Sequence, residues 1–82
     1  MVMYEAGMLA RSKAGHDKAQ MYIIKEVDDT YVYLVDGRIR TLGHPKKKKK
    51  KHVQIVHGIY NMKEFDDAGI RKLIKDWMKE EK

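Results

Sequence analysis

Asp36-Gly37 stands between two short runs of strand-forming residues, 31–35 and 38–42. A type I′ turn needs two residues that tolerate positive φ, and Asp-Gly supplies them. The dipeptide therefore predicts a β-hairpin, and with it an antiparallel sheet. Alternation in Tyr31-Val32-Tyr33-Leu34-Val35 puts Val32 and Leu34 on one face and Tyr31 and Tyr33 on the other. After the turn, Ile39 faces away from Arg38 and Arg40. The same punctuation recurs along the chain. Residues 7–11 predict a first strand, 12–18 a polar loop containing Gly15, 20–27 a second strand, and Asp28-Asp29-Thr30 a turn. Met21-Tyr22-Ile23-Ile24 is apolar without alternation, so both faces of the second strand are expected to be covered. Gly43-His44-Pro45 ends the fourth strand. Residues 52–56 predict a fifth, with Val53 and Ile55 on one face and Gly58 closing it.

Beyond residue 60 the period changes. Ile70, Leu73, Ile74, Trp77 and Met78 recur as one apolar stripe of an α-helix. Asn61, with Glu64 three residues on, fits a capping box, and Asp66 is the other candidate cap. Gly69 early in the helix costs about 1 kcal/mol relative to alanine. Short strands joined by tight turns protect their edges best by closing into a small barrel. The helix then buries its stripe on that barrel or on a partner. The expected fold class is mostly β: a small barrel over residues 1–60, including a basic loop at 46–51, and a C-terminal helical extension over 61–82.

The chain carries 18 Lys and Arg against 12 Asp and Glu in 82 residues. Residues 1–45 and 53–82 are each neutral, with six bases and six acids apiece. The whole excess of +6 is therefore Lys46, Lys47, Lys48, Lys49, Lys50 and Lys51. Six adjacent ammonium groups repel one another, and a polyanion relieves the repulsion while releasing counterions. A solvated basic loop is the plainer reading, and free of a ligand the run is expected to be mobile. An acidic lipid surface is a weaker alternative, since no amphipathic anchor adjoins the run. There are no cysteines, which excludes disulfides and thiolate chemistry. No secretory signal and no membrane-length apolar stretch is visible. The expected setting is the cytoplasm, with no membrane attachment and no cofactor.

The residues also carry a resemblance. Residues 7–20 resemble the KOW motif, a glycine-containing strand-loop-strand of ribosomal proteins and transcription elongation factors. A longer ordered set is similar to the KOW-domain RNA-binding proteins of bacteria, themselves similar to a large-subunit ribosomal protein family of eukaryotes and archaea. It comprises Arg11-Ser12-Lys13-Ala14-Gly15-His16-Asp17-Lys18, then Asp36-Gly37-Arg38-Ile39-Arg40, then Pro45 with the lysines and His52. Ala68-Gly69-Ile70-Arg71-Lys72-Leu73 resembles the tail of the bacterial members. The resemblance implies an SH3-like barrel that binds RNA. The chain departs from the KOW pattern at Ala19, where glycine is usual, and in a lysine run not interrupted by an apolar residue near Lys50.

Candidate RNA-binding residues follow. Gly15 lets a loop approach a phosphate backbone closely, flanked by Lys13 and Lys18. Arg11, His16 and His52 add to the basic character, and Arg38 and Arg40 share one strand face beyond the hairpin. Each has a plainer use as a solvated turn or strand residue. Tyr22, Tyr31 and Tyr33 admit base stacking, although covering a barrel is the commoner use of strand aromatics. His44, His52 and His57 lack metal-ligand spacing, and no metal site is expected. An enzyme is not expected either: Ser12 is the single serine, and no phosphate-binding loop is present. The expected function is an RNA-binding module docking on ribosomal RNA of the large subunit, with ribosomal proteins as further neighbours. The rival is a protein-interaction adaptor in transcription or translation, for which the helix would matter more than the lysines.

Overall fold

The computed structural model describes residues 3–13 and 20–80. Five antiparallel strands form one sheet: β1 (Met8–Ser12), β2 (Met21–Val27), β3 (Tyr31–Val35), β4 (Lys46–Lys49) and β5 (Val53–Ile59). Their order across the sheet is β4-β3-β2-β1-β5. One helix, α1 (Asp67–Glu80), follows. β4 and β5 occupy opposite edges, yet only the 3-10 turn Lys50–His52 separates them in sequence. A flat sheet would hold such edges about 19 Å apart, four spacings of about 4.8 Å. A 3-10 turn rises only about 2 Å per residue. The sheet therefore curls into an open half-barrel.

The core follows from the curl. Met21, Tyr22, Ile23 and Ile24 are all buried, as a run without alternation anticipates. Met21 and Ile23 join Leu9, Val35, Ile70 and Ile74 on the face that α1 covers. Tyr22 and Ile24 join Ala10, Val32, Leu34 and Val53 on the other face. Two irregularities help the sheet bend. Lys25 is the extra residue where the β2–β3 register shifts between Ile24 and Glu26. The β1–β5 register shifts between Met8 and Ala10, and β5 runs on to Ile59 through Gly58 instead of stopping there.

The chain between β3 and β4 corrects the hairpin expectation. Residues 38–42 do not form a strand. Asp36 Oδ1 accepts the backbone N–H groups of Arg38 (2.8 Å) and Arg40 (3.0 Å), and the Arg40 carbonyl accepts those of Asp36 and Gly37. A carboxylate that captures nearby backbone donors competes with a sheet ladder, and here it wins. Positive φ is confined to glycines among the described residues, so Asp36 does not adopt the type I′ geometry. Gly37, at φ 78°, lies against the first turn of α1. The Asp67 carboxylate accepts the Leu42 N–H at 2.8 Å, and Arg71 donates to the Gly37 carbonyl at 3.0 Å. The place expected for residues 38–42 beside β3 is taken by the lysines.

Both candidate caps are used, on different elements. The Asp66 carboxylate accepts the Gly69 N–H at 2.8 Å at the start of α1, and Asn61 caps the short 3-10 turn Met62–Glu64. Ile70 and Ile74 are buried against the sheet, with Leu73 and Trp77 packed beside them. Met78 leaves the stripe and is 42% exposed.

Candidate nucleic-acid interface

The lysine run expected as a basic loop is an edge strand and a turn. β4 pairs with β3 in the register Leu34↔Lys46, Val32↔Lys48, Tyr33↔Lys47 and Tyr31↔Lys49. β3 thus supplies a backbone ladder that a lysine can use as well as any residue. Edge strands favour lysine because its charge discourages further pairing. The pleat then divides the run. Lys46 and Lys48 share the face of Leu34 and Val32 and are half-buried, while Lys47 and Lys49 share the face of Tyr33 and Tyr31 and are exposed.

Each half-buried lysine lays its stem on the protein and finds a partner for its charge. Lys46 Nζ lies 5.8 Å from the Tyr22 ring centre. Lys48 Nζ donates to Ser12 Oγ at 2.8 Å. A serine beside a lysine is also the make-up of a nucleophile and its base. Ser12 is only 1% exposed, however, so the bond anchors Lys48 and leaves no approach for a substrate. In the following turn, Lys50 Nζ sits 5.7 Å from the Tyr4 ring centre. The Tyr4 hydroxyl donates to the Lys50 carbonyl at 3.0 Å, and the Lys50 N–H donates to the Thr30 carbonyl at 2.9 Å.

The outward side is basic and aromatic. Lys47 Nζ lies 4.2 Å over the Tyr31 ring, close enough for a cation–π contact. A shallow hollow of about 340 Å³ opens beside it, lined by Asp29, Thr30, Lys49, Lys50 and Lys51. Asp28 precedes Asp29 and Thr30 in the turn that leads into β3. Its carboxylate accepts the Tyr31 and Thr30 N–H groups (2.7 and 3.0 Å) and the Tyr33 hydroxyl (3.0 Å). The Tyr31 N–H above all, then Thr30, Tyr33 and the Lys47 charge, holds the Asp28 carboxyl below its usual range. The same bond raises the Tyr33 hydroxyl.

A pH dependence follows from Asp28. A carboxyl whose folded value lies below its unfolded value stabilises the fold above about pH 4. That contribution fades as pH falls through the lowered folded value. Carboxyl-carbon NMR is expected to give Asp28 a midpoint below that of an unstructured aspartate, with the Thr30 and Tyr31 amides shifting at the same pH. A midpoint at or above the ordinary value would contradict the arrangement.

The structure gathers some candidate residues and separates others. Lys13 follows β1, and its N–H donates to the His52 carbonyl at 2.9 Å, which brings both residues to the Lys50 end of the run. Arg11 is half-buried within β1, opposite Met21 and Gln54 in register. Arg38 and Arg40 are exposed in the loop that enters β4 at Lys46, at the other end of the strand. They do not share a strand face, because no strand forms there. Gly15, His16 and Lys18, together with the His57 side chain, lie outside the described residues. Among the described residues no three His, Asp or Glu side chains gather as a metal-ligand set. No described helix is long and apolar enough to cross a membrane. The contacts of Tyr4, Ser12 and Thr30 with the lysines escape a reading of the sequence, since they span from 20 to 46 positions of the chain. In comparison with known proteins, the chain matches no family model and no curated protein.

Proposed function

We propose that this domain binds RNA, and that it does so as an SH3-like barrel of the KOW type docking on the large ribosomal subunit in the cytoplasm. One observation carries the reading: four consecutive lysines form a strand, and the exposed pair, Lys47 and Lys49, stands beside Tyr31 and Tyr33. Same-face residues of a strand repeat at about 6.6 Å, so these amines form a fixed row. Lys51, exposed in the adjoining turn, lines the same hollow as Lys49. A fixed row of amines loses less entropy on meeting a polyanion than a mobile arm would.

The neighbouring tyrosines suit unpaired bases, which stack on aromatic rings without regard to sequence. Lys13 and His52 add basic groups at one end. Amines and rings of this kind position a backbone but do not read bases, so recognition rests on RNA shape. A five-stranded sheet whose edge strands are joined by a 3-10 turn supports the SH3-like assignment, as does the ordered set of KOW-like residues. The reading is one of binding and not of catalysis.

Co-sedimentation with ribosomes and isolated subunits across a salt series tests it. The expected result is association with the large subunit that declines steeply as salt rises. Absence of association at low salt would remove the ribosome from the proposal. Failure to bind any structured RNA in a fluorescence-anisotropy titration would remove RNA altogether.

A further inference from the structure

Residues 67–80 hold charges of both signs, but the helix sorts them. At 3.6 residues per turn, Arg71, Lys72, Lys75 and Lys79 fall within an arc of about 100°, and Asp76 flanks that arc about 40° beyond Lys72. That basic arc forms one wall of a groove of about 860 Å³. The loop after β3, bearing Arg38, contributes to the lining as well. The apolar part of the lining is Ala68, Ile74 and the exposed Met78. Among the described residues Asp36 is the one acid that lines it, and its carboxylate is buried and occupied by the Arg38 and Arg40 N–H groups. The loop is fastened to the helix by the Arg71–Gly37 and Leu42–Asp67 bonds, so the groove exists before any ligand arrives.

We infer that this groove binds an acidic amphipathic segment of a partner protein, one that sets carboxylates beside apolar side chains. Five cations and an apolar lining ask for both features at once. Nucleic acid would satisfy only the first: among the described residues no aromatic ring lines the groove for a base to stack on. α1 spans about 21 Å, the length of a partner helix of about 14 residues. The contact area is small, so the complex is transient and electrostatically steered. This site is separate from the lysine strand and does not depend on the RNA reading.

Methyl-detected NMR titration of the full chain tests the inference. One probe is a synthetic 14-residue peptide with leucines at i, i+3, i+4 and i+7 and glutamates elsewhere. A second replaces those leucines with glutamine, and a third is an oligouridylate. The first peptide is expected to shift the Ile74 and Met78 methyl signals. Lys72→Glu with Lys75→Glu, both at exposed positions, is expected to weaken that peptide at least tenfold while the core methyl signals stay in place. The glutamine peptide is expected to bind at least tenfold more weakly as well. Three results would overturn the inference: equal binding of the two peptides, indifference to the double substitution, or shifts at Ile74 and Met78 produced by the oligouridylate alone.

Discussion

Replacing Lys47, Lys49 and Lys51 together with glutamine is expected to lower RNA affinity on the order of 100-fold at 0.1 M salt. Each phosphate neutralised by a lysine contributes about 0.7–0.9 to the slope of log affinity against log salt. Three such contacts amount to about 2–3 in slope, and to a similar number of decades when 0.1 M is referred to 1 M salt. All three positions are exposed, and none of their side chains packs in the core, so the fold should tolerate the change. The comparison with Lys46→Gln plus Lys48→Gln gives the experiment its force. Those two amines lean on Tyr22 and Ser12 and are half-buried, so they have less to offer a phosphate. Their removal is expected to disturb thermal stability more and the salt slope by less than 1. Equal slopes for the two variants would mean that the run acts as a bulk of charge and that the pleat of β4 is irrelevant to binding.

That contrast shows where sequence and structure part company. Six lysines in a row carry no hydrophobic period, so nothing local marks residues 46–49 as a strand. Their conformation is imposed by β3, whose edge would otherwise stay open once residues 38–42 are drawn away by the Asp36 carboxylate. The Asp-Gly signal was right about a reversal of the chain and wrong about its geometry, because side-chain capture of backbone donors is not encoded in a turn dipeptide alone. Elements with their own periodicity were legible: β3 with its two faces, the doubly covered β2, and the helix stripe through Ile70 and Ile74. The basic face of α1 was hidden for a different reason. A tally along the chain cancels Arg71, Lys72, Lys75 and Lys79 against nearby acids, whereas a helix gathers the four cations within an arc of about 100°. A helical projection of charge, beside the projection of apolar residues, would have found it.

The loop that replaced the expected hairpin depends on a residue without a side chain, and Gly37→Ala is expected to cost about 2–5 kcal/mol. Gly37 holds φ 78°, a conformation that costs an L-residue about 1–2 kcal/mol. A methyl group there would also come within 2.2 Å of the Asp67 carbonyl oxygen and 2.9 Å of the Arg71 nitrogen. Both atoms are helix backbone and cannot swing aside, so the loop or α1 must shift, at about 1–3 kcal/mol for an overpacked contact. The shift would also stretch the Arg71–Gly37 and Leu42–Asp67 bonds, which lie at the same junction. For a domain of this size 1 kcal/mol corresponds to about 4–8 °C, so a midpoint at least about 8 °C lower is expected in a thermal melt. Gly43→Ala is the matched control, because its φ is not positive and a methyl group there meets nothing within 4 Å. Gly43→Ala is expected to be neutral or slightly stabilising, through the smaller entropy of the unfolded chain. If the two substitutions melted alike, the docking of this loop on the first turn of α1, and with it the preformed groove, would have to be abandoned.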